Sequence, residues 1–238
     1  MNLDSINDAE ALFNIGNAAG MINNYADAFD CFYKAAKHNY APAECSLAFC
    51  YEKGHGVPQN YAKAVEYYKK SASQGYAPAQ CNLGWCYESG NGVDENIEKA
   101  IEYYNMAAEK GYAPAQGNLG FCYERGNGVE QDLNKAYKWF KKAALQGNAF
   151  SQLNLGDCYE NGKGVKQDID KAMKWYKKSA EHGNSQAQFH LGLCYENGVG
   201  VQKNLLIAYE WYNYAAVIGH AGAKKHIDNL KKQGIDKK

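Results

Sequence analysis

Apolar and small residues recur along the chain with a period of thirty-six, and within each period they follow helical rather than strand spacing. In the unit that begins at Ala77, Ala79, Leu83, Gly84 and Tyr87 (positions 3, 7, 8 and 11) fall on one side of a helix turning 100° per residue. Positions 2, 5, 6, 9, 12 and 13 fall on the other side. Each unit divides into two helices. The first, helix A, opens at Ala-Pro-Ala in three copies (Pro42, Pro78, Pro114), where the missing proline N–H would be unpaired anyway. In two later copies Asn148 and Asn184 stand ready as N-caps. Helix B follows a repeated capping residue: Asn60, Asn96, Asp132, Asp168 or Asn204. It stops at Gly75, Gly111, Gly147, Gly183 or Gly219.

The link between the helices carries the most regular signature. Cys-Tyr-Glu-x-Gly-x-Gly-Val begins at Cys50, Cys86, Cys122, Cys158 and Cys194. Its glycines, such as Gly90 and Gly92, permit the left-handed backbone that closes helix A. The expected architecture is therefore all-α: stacked antiparallel helical hairpins forming an α-solenoid, in which each unit buries its apolar face against its neighbours. Residues 1–40 read as a degenerate N-terminal capping repeat that lacks the Gly-x-Gly signal. Residues 41–220 hold five full repeats, and residues 221–238 form a C-terminal capping helix and tail with Ile227 and Leu230 inward.

Composition changes this picture little. Lys plus Arg and Asp plus Glu are 26 each, so net charge argues for neither nucleic acid nor an anionic membrane as partner. The first residues hold acidic groups and no apolar signal-peptide core, and no run is long and apolar enough to span a bilayer. A cytoplasmic protein is expected. Outward lysines on helix B (Lys69, Lys70, Lys141, Lys142, Lys177, Lys178) balance a row of glutamates on helix A.

The motif Ala-x-x-x-Leu-Gly-x-x-Tyr-x-x-Gly-x-Gly-Val, followed by Lys-Ala-x-x-Trp-Tyr-x-Lys-Ala-Ala, resembles the Sel-1-like repeat, a relative of the tetratricopeptide repeat. It is carried here by Leu119, Gly120, Tyr123, Gly126, Gly128, Val129, Lys135, Ala136, Trp139, Phe140, Lys142, Ala143 and Ala144. Departures are Ala48 for the helix A glycine in the first copy and Ile207 for the lysine in the fifth. The resemblance implies a right-handed solenoid that serves as a non-catalytic adaptor for a protein or peptide; no cofactor is expected. In tetratricopeptide domains an Asn at the corresponding helix A position contacts peptide backbone, and the resemblance extends that role to Asn82, Asn118 and Asn154.

The residues themselves support a peptide groove on the open side of helix A. A carboxamide pairs with both the N–H and the C=O of an extended chain, and helices ~8 to 10 Å apart match about three extended residues. The alternative is a solvated Asn retained by duplication. Hydrogen bonds net only ~0.5 to 1.5 kcal/mol each, so apolar anchors are required: Phe49, Trp85 and Phe121 stand at position 9, with Trp85 the foremost candidate. These rings instead lean into the next repeat if they are packing residues. Glu88, Glu124 and Glu160 belong to a position-12 series that begins at Glu52 and ends at Glu196. It is either a solvated row or a negative field that steers a partner with basic residues.

Cysteines at position 10 read as small buried hydrophobes, and no disulfide framework is apparent. In cysteine-rich relatives the resemblance implies a bridge from the Cys81 position to the preceding helix B, but Ala72 stands there. Those relatives suggest a β-lactam-binding or β-lactam-hydrolysing alternative, against which no Ser-x-x-Lys occurs. Neither Cys-x-x-Cys nor His-Glu-x-x-His is present to hold a metal. A further alternative is a structural scaffold that works through its convex or end surfaces.

Overall fold

The computed structural model describes residues 8–236, which form thirteen α-helices and no strand. The first seven residues of the expected N-terminal cap and the last two of the tail lie outside the described residues. Two compact units divide the chain, one running to Ala115 and one from Gln116.

The first unit contains three hairpins: α1 (Ala9–Met21) with α2 (Tyr25–Ala36), α3 (Ala41–Lys53) with α4 (Tyr61–Ser73), and α5 (Ala77–Ser89) with α6 (Ile97–Glu109). Helix α7 (Ala113–Arg125) begins at its end. The second unit continues with α8 (Leu133–Leu145), the hairpins α9 (Ala149–Asn161) with α10 (Ile169–Glu181) and α11 (Ser185–Asn197) with α12 (Leu205–Val217), and α13 (Ala223–Lys232). Within each unit consecutive helices pack on one another, so the class is the expected one of stacked helical hairpins.

The helix starts obey local chemistry. Side chains of Asn60, Asn96, Asp132, Asp168 and Asn204 accept from the backbone N–H three residues on, as in Asn60 Oδ1 to Lys63 N at 3.0 Å. Each such cap is worth ~1 kcal/mol. Helix α5 ends at Gly90 with φ +68°. Gly92, φ +76°, serves a second purpose: a Cβ there would overlap the Tyr61 carbonyl at the start of the preceding helix B. The loop glycine thus sets how closely one hairpin sits on the last.

Ala79, Leu83 and Tyr87 are buried with Gly84, as the helical pattern requires. A Cβ on Gly84 would lie 2.7 Å from the Tyr104 ring, so the helix A glycine admits the aromatic of helix B. The first complete hairpin accommodates Ala48 fully buried at the same position. Leu47, Leu83, Tyr68 and Tyr104 fill the interior of the first unit; Phe140, Leu155, Tyr176, Leu191 and Tyr212 fill that of the second. Each buried side chain of this size contributes ~1.5 to 3 kcal/mol.

Two positions on the side expected to be open are closed. Cys45 and Cys81 (position 5) are 8% and 5% exposed, and Glu52 (position 12) is 5% exposed. Helical angle about one axis assigned them to the open side. Tyr68 on α4 of the same hairpin meets Glu52, and Asn82 of the next hairpin meets Cys45.

Candidate functional site

A pocket of about 720 Å³ opens on the first unit. Its wall is largely aromatic, with Tyr25, Phe32, Phe49, Tyr76 and Tyr112, and its polar groups include Asn17, Ser46 and Asn82. No lysine, arginine or carboxylate lines it. That volume and mixture are typical of a site for a small molecule or an inserted side chain.

Local sequence explains why these groups converge. Phe49 stands 43% exposed on α3 beside His55, whose ring lies between it (centroids 5.8 Å) and Tyr25 (4.1 Å, stacked). Asn82 on α5 directs Nδ2 toward Cys45 Sγ at 3.8 Å, a weak acceptor. Burial pushes the Cys45 thiol up to about 12 and the Cys50 thiol to about 11, so neither is a thiolate near neutrality. Trp85 does not line the pocket. It is 37% exposed, and Lys53 Nζ lies 5.8 Å from its ring and 5.5 Å from that of Phe49.

In the sequence the residue before helix A reads only as a capping position, which does not single out Tyr76. Tyr40 and Tyr76 make no side-chain cap, whereas Asn148 and Asn184 at the same position do. A tyrosine there forgoes ~1 kcal/mol of capping. The change from Tyr40, Tyr76 and Tyr112 to Asn148 and Asn184 was the available signal.

In the second unit Phe121 packs edge-on against Phe140 (5.1 Å) and tilted against Phe150 (5.1 Å). Asn154 Nδ2 donates to the Phe150 carbonyl of its own helix at 2.7 Å. Asn118 is half-buried on α7.

The position-12 carboxylates point to partners inside the protein. Tyr68 donates to Glu52 at 2.8 Å, Tyr104 to Glu88 at 2.5 Å and Tyr176 to Glu160 at 2.6 Å; Tyr212 donates to Glu196. His190 and His226 also reach Glu160 (3.1 Å) and Glu196 (2.9 Å). Burial first, and then the adjacent carboxylate, holds the Tyr176 hydroxyl far above its ordinary pKa. One copy differs. Phe140 replaces the tyrosine, and Glu124 instead pairs with Lys163 Nζ at 2.8 Å, which also holds Asp157 at 2.6 Å. Asp157 stands where Phe49, Trp85 and Phe121 stand in other copies. Among the described residues no group of His, Cys, Asp and Glu is arranged to hold a metal, and no helix is long and apolar enough to cross a membrane.

Stacked hairpins with a repeated interhelical bond and a lateral pocket define a helical-repeat protein. The Sel1 repeat model matches residues 9–40, 41–76, 77–112, 113–148, 149–184 and 185–219, and the chain belongs to the Sel1 repeat family. Members are generally protein–protein interaction scaffolds. The chain is 31% identical to a Sel1 repeat protein of Oxalobacter formigenes, covering 94% of this chain and 89% of that one, with TM-score 0.81. It is 33% identical to a protective antigen of uropathogenic Escherichia coli that displays an SLR fold (TM-score 0.74). That match covers 97% of this chain, which spans about half, 51%, of the antigen's length. An immunity protein of Pseudomonas aeruginosa, 20% identical over 91% of this chain and 84% of its own, shares the fold with TM-score 0.64. No curated protein sequence matches the chain.

Proposed function

We propose that this protein is a non-catalytic adaptor that captures an extended segment of a partner protein, with one uncharged apolar side chain of that segment seated in the first unit's pocket. The carrying observation is the Tyr76 wall: a residue at a capping position that makes no cap and lines an aromatic cavity instead. Phe49 supplies the other accessible ring, and Asn82, whose donor meets only a thiol, is placed to exchange it for a backbone carbonyl. On the second unit taken by itself Asn118 and Asn154 have the same backbone-holding role, and Trp85 on the first unit and Phe121 on the second add apolar contact at position 9. Glu88, Glu124 and Glu160 hold helices together in this reading, and their charges favour a segment flanked by basic residues. The raised thiols of the pocket support binding over nucleophilic chemistry, including β-lactam hydrolysis. Eight buried cysteines, with no disulfide among the described residues, suit a reducing, cytoplasmic setting.

Selection from a displayed peptide library followed by fluorescence anisotropy tests this. Selected peptides should carry an aromatic or aliphatic anchor. Phe49→Ala and Asn82→Ala should each weaken binding, by about tenfold for the aromatic. Peptides that bind both variants as tightly as the wild type would remove the pocket from the mechanism.

A further inference from the structure

Helix α12 leaves more large apolar side chains exposed than any other helix B among the described residues. On α10, the outward positions carry Asp170, Lys178, Glu181 and His182. On α12 the same positions carry Leu206, Tyr214, Val217 and Ile218, which are 55%, 55%, 87% and 53% exposed. Leu206, Glu210, Asn213 and Val217 follow one another along a single stripe at helical spacing. Met106 on α6 and Leu145 on α8 are exposed at two of these positions, but among the described residues only α12 leaves large apolar or aromatic side chains in water at all four, a patch of the size that often marks an interaction surface.

We propose that this face is a two-fold interface with a second copy of the chain, formed by antiparallel packing of α12 on its counterpart. An isologous contact sets a patch against itself, so the patch must be complementary to its own reversal. The stripe meets that condition. Reversed about its midpoint near Trp211, Leu206 lies opposite Val217, and Glu210 lies opposite Asn213 and close to Tyr214. Asn213 Nδ2, which donates one hydrogen to the Tyr209 carbonyl at 2.8 Å, keeps a second for the carboxylate, and the Tyr214 hydroxyl adds another. The corresponding pairing on α10 would set Lys174 against Lys177 and Lys178, and on α8 Lys138 against Lys141 and Lys142. Those like charges forbid it. A heterologous apolar partner would not need the reversal symmetry. The four exposed side chains offer on the order of 400 Å² against about 800 Å² per partner in a standard interface, so the dimer is weak, with micromolar dissociation.

Sedimentation equilibrium of the whole chain tests the proposal. Dimer should dominate at about 100 µM and dissociate on dilution. Leu206→Lys and Val217→Glu should each be monomeric there, with circular dichroism unchanged because both sites face water. An equimolar mixture of the two should recover dimer, since reversal brings the new lysine opposite the new glutamate. A wild type that stays monomeric at that concentration, or a dimer indifferent to Val217→Glu, overturns the proposal. Failure of the mixture to associate overturns the antiparallel register. None of these outcomes depends on the peptide pocket.

Discussion

The hydroxyl of Tyr68 donates to Oε2 of Glu52 at 2.8 Å in the interior of the first complete hairpin. Tyr68 is fully buried and Glu52 is 5% exposed, so the bond forms where water cannot replace it. A buried carboxylate deprived of a donor carries its full desolvation cost, whereas the bond itself is worth ~1.5 to 3 kcal/mol. Tyr68→Phe is therefore expected to lower unfolding free energy by about 2 kcal/mol. The lower part of that range applies if the Lys53 ammonium, 2.6 Å from Oε1, compensates. Urea denaturation measures it, and a loss under about 0.5 kcal/mol would mean the bond is ornamental.

At Phe140 the same bond is missing, and Lys163 stands in for the hydroxyl at Glu124. Phe140→Tyr returns a donor to the place where Tyr104 and Tyr176 supply one in neighbouring copies. In the wild type Lys163→Ala strips Glu124 and Asp157 of their shared cation; in the Phe140→Tyr background Glu124 keeps a partner. The double-mutant cycle should show coupling of about 1 kcal/mol, with Lys163→Ala less harmful in the Phe140→Tyr background. Additive effects would mean the lysine and the phenylalanine changed independently.

Caps and glycines were legible because each acts on its own few residues: Asn60 caps the backbone three residues ahead, and Gly90 turns the chain where it stands. Glu52 was not legible by that route. A helical wheel gives its angle about α3 and says nothing of α4 in the same hairpin, so a residue expected in solvent meets Tyr68 sixteen residues later. The repeat did hold the clue: Phe140 breaks the tyrosine series beside the copy in which Asp157 and Lys163 also depart. The pocket shared this difficulty. Asn82 and Phe49 were visible as a pattern on helix A, but Tyr25 and Phe32 join them from α2 and Tyr112 from the link before α7.

Alkaline pH should unfold the protein earlier than its net charge suggests. Burial raises Cys45, Cys81, Cys86 and Cys158 to about 12, and Cys50 and Cys194 to about 11, from 9.0. Folded pKa values above the unfolded value mean that the folded chain binds these protons more tightly. The corresponding stability is fully present below pH 9 and is lost as pH rises from 9 toward 12, by up to about 1.4 kcal/mol per pH unit for each thiol. Tyr68, Tyr176 and Tyr212 are shifted in the same direction and add to the loss above pH 10. Urea midpoints should hold up to about pH 9 and fall steeply between about pH 9 and pH 11. At the lower pH iodoacetamide should label few cysteines until denaturant is added. A flat midpoint or rapid native labelling would contradict the burial of these groups.

Tyr76→Asn separates a functional wall from a structural one. Truncating a tyrosine that only packs costs ~3 kcal/mol or more by analogy with other large-to-small aromatic changes. Here the replacement also gains something, because Tyr76 has φ −71° and ψ 109°, close to Asn148 at −64° and 107°, whose side chain caps α9. An asparagine at residue 76 therefore meets a backbone already set for capping and recovers ~1 kcal/mol. The ring is only half-buried, so less is lost than from a core position. Stability should change by no more than about 1 kcal/mol in urea. Peptide binding, measured by anisotropy on the same sample, should fall about tenfold as the pocket loses a wall. A variant that is strongly destabilised yet binds normally when folded would place Tyr76 with the packing residues instead.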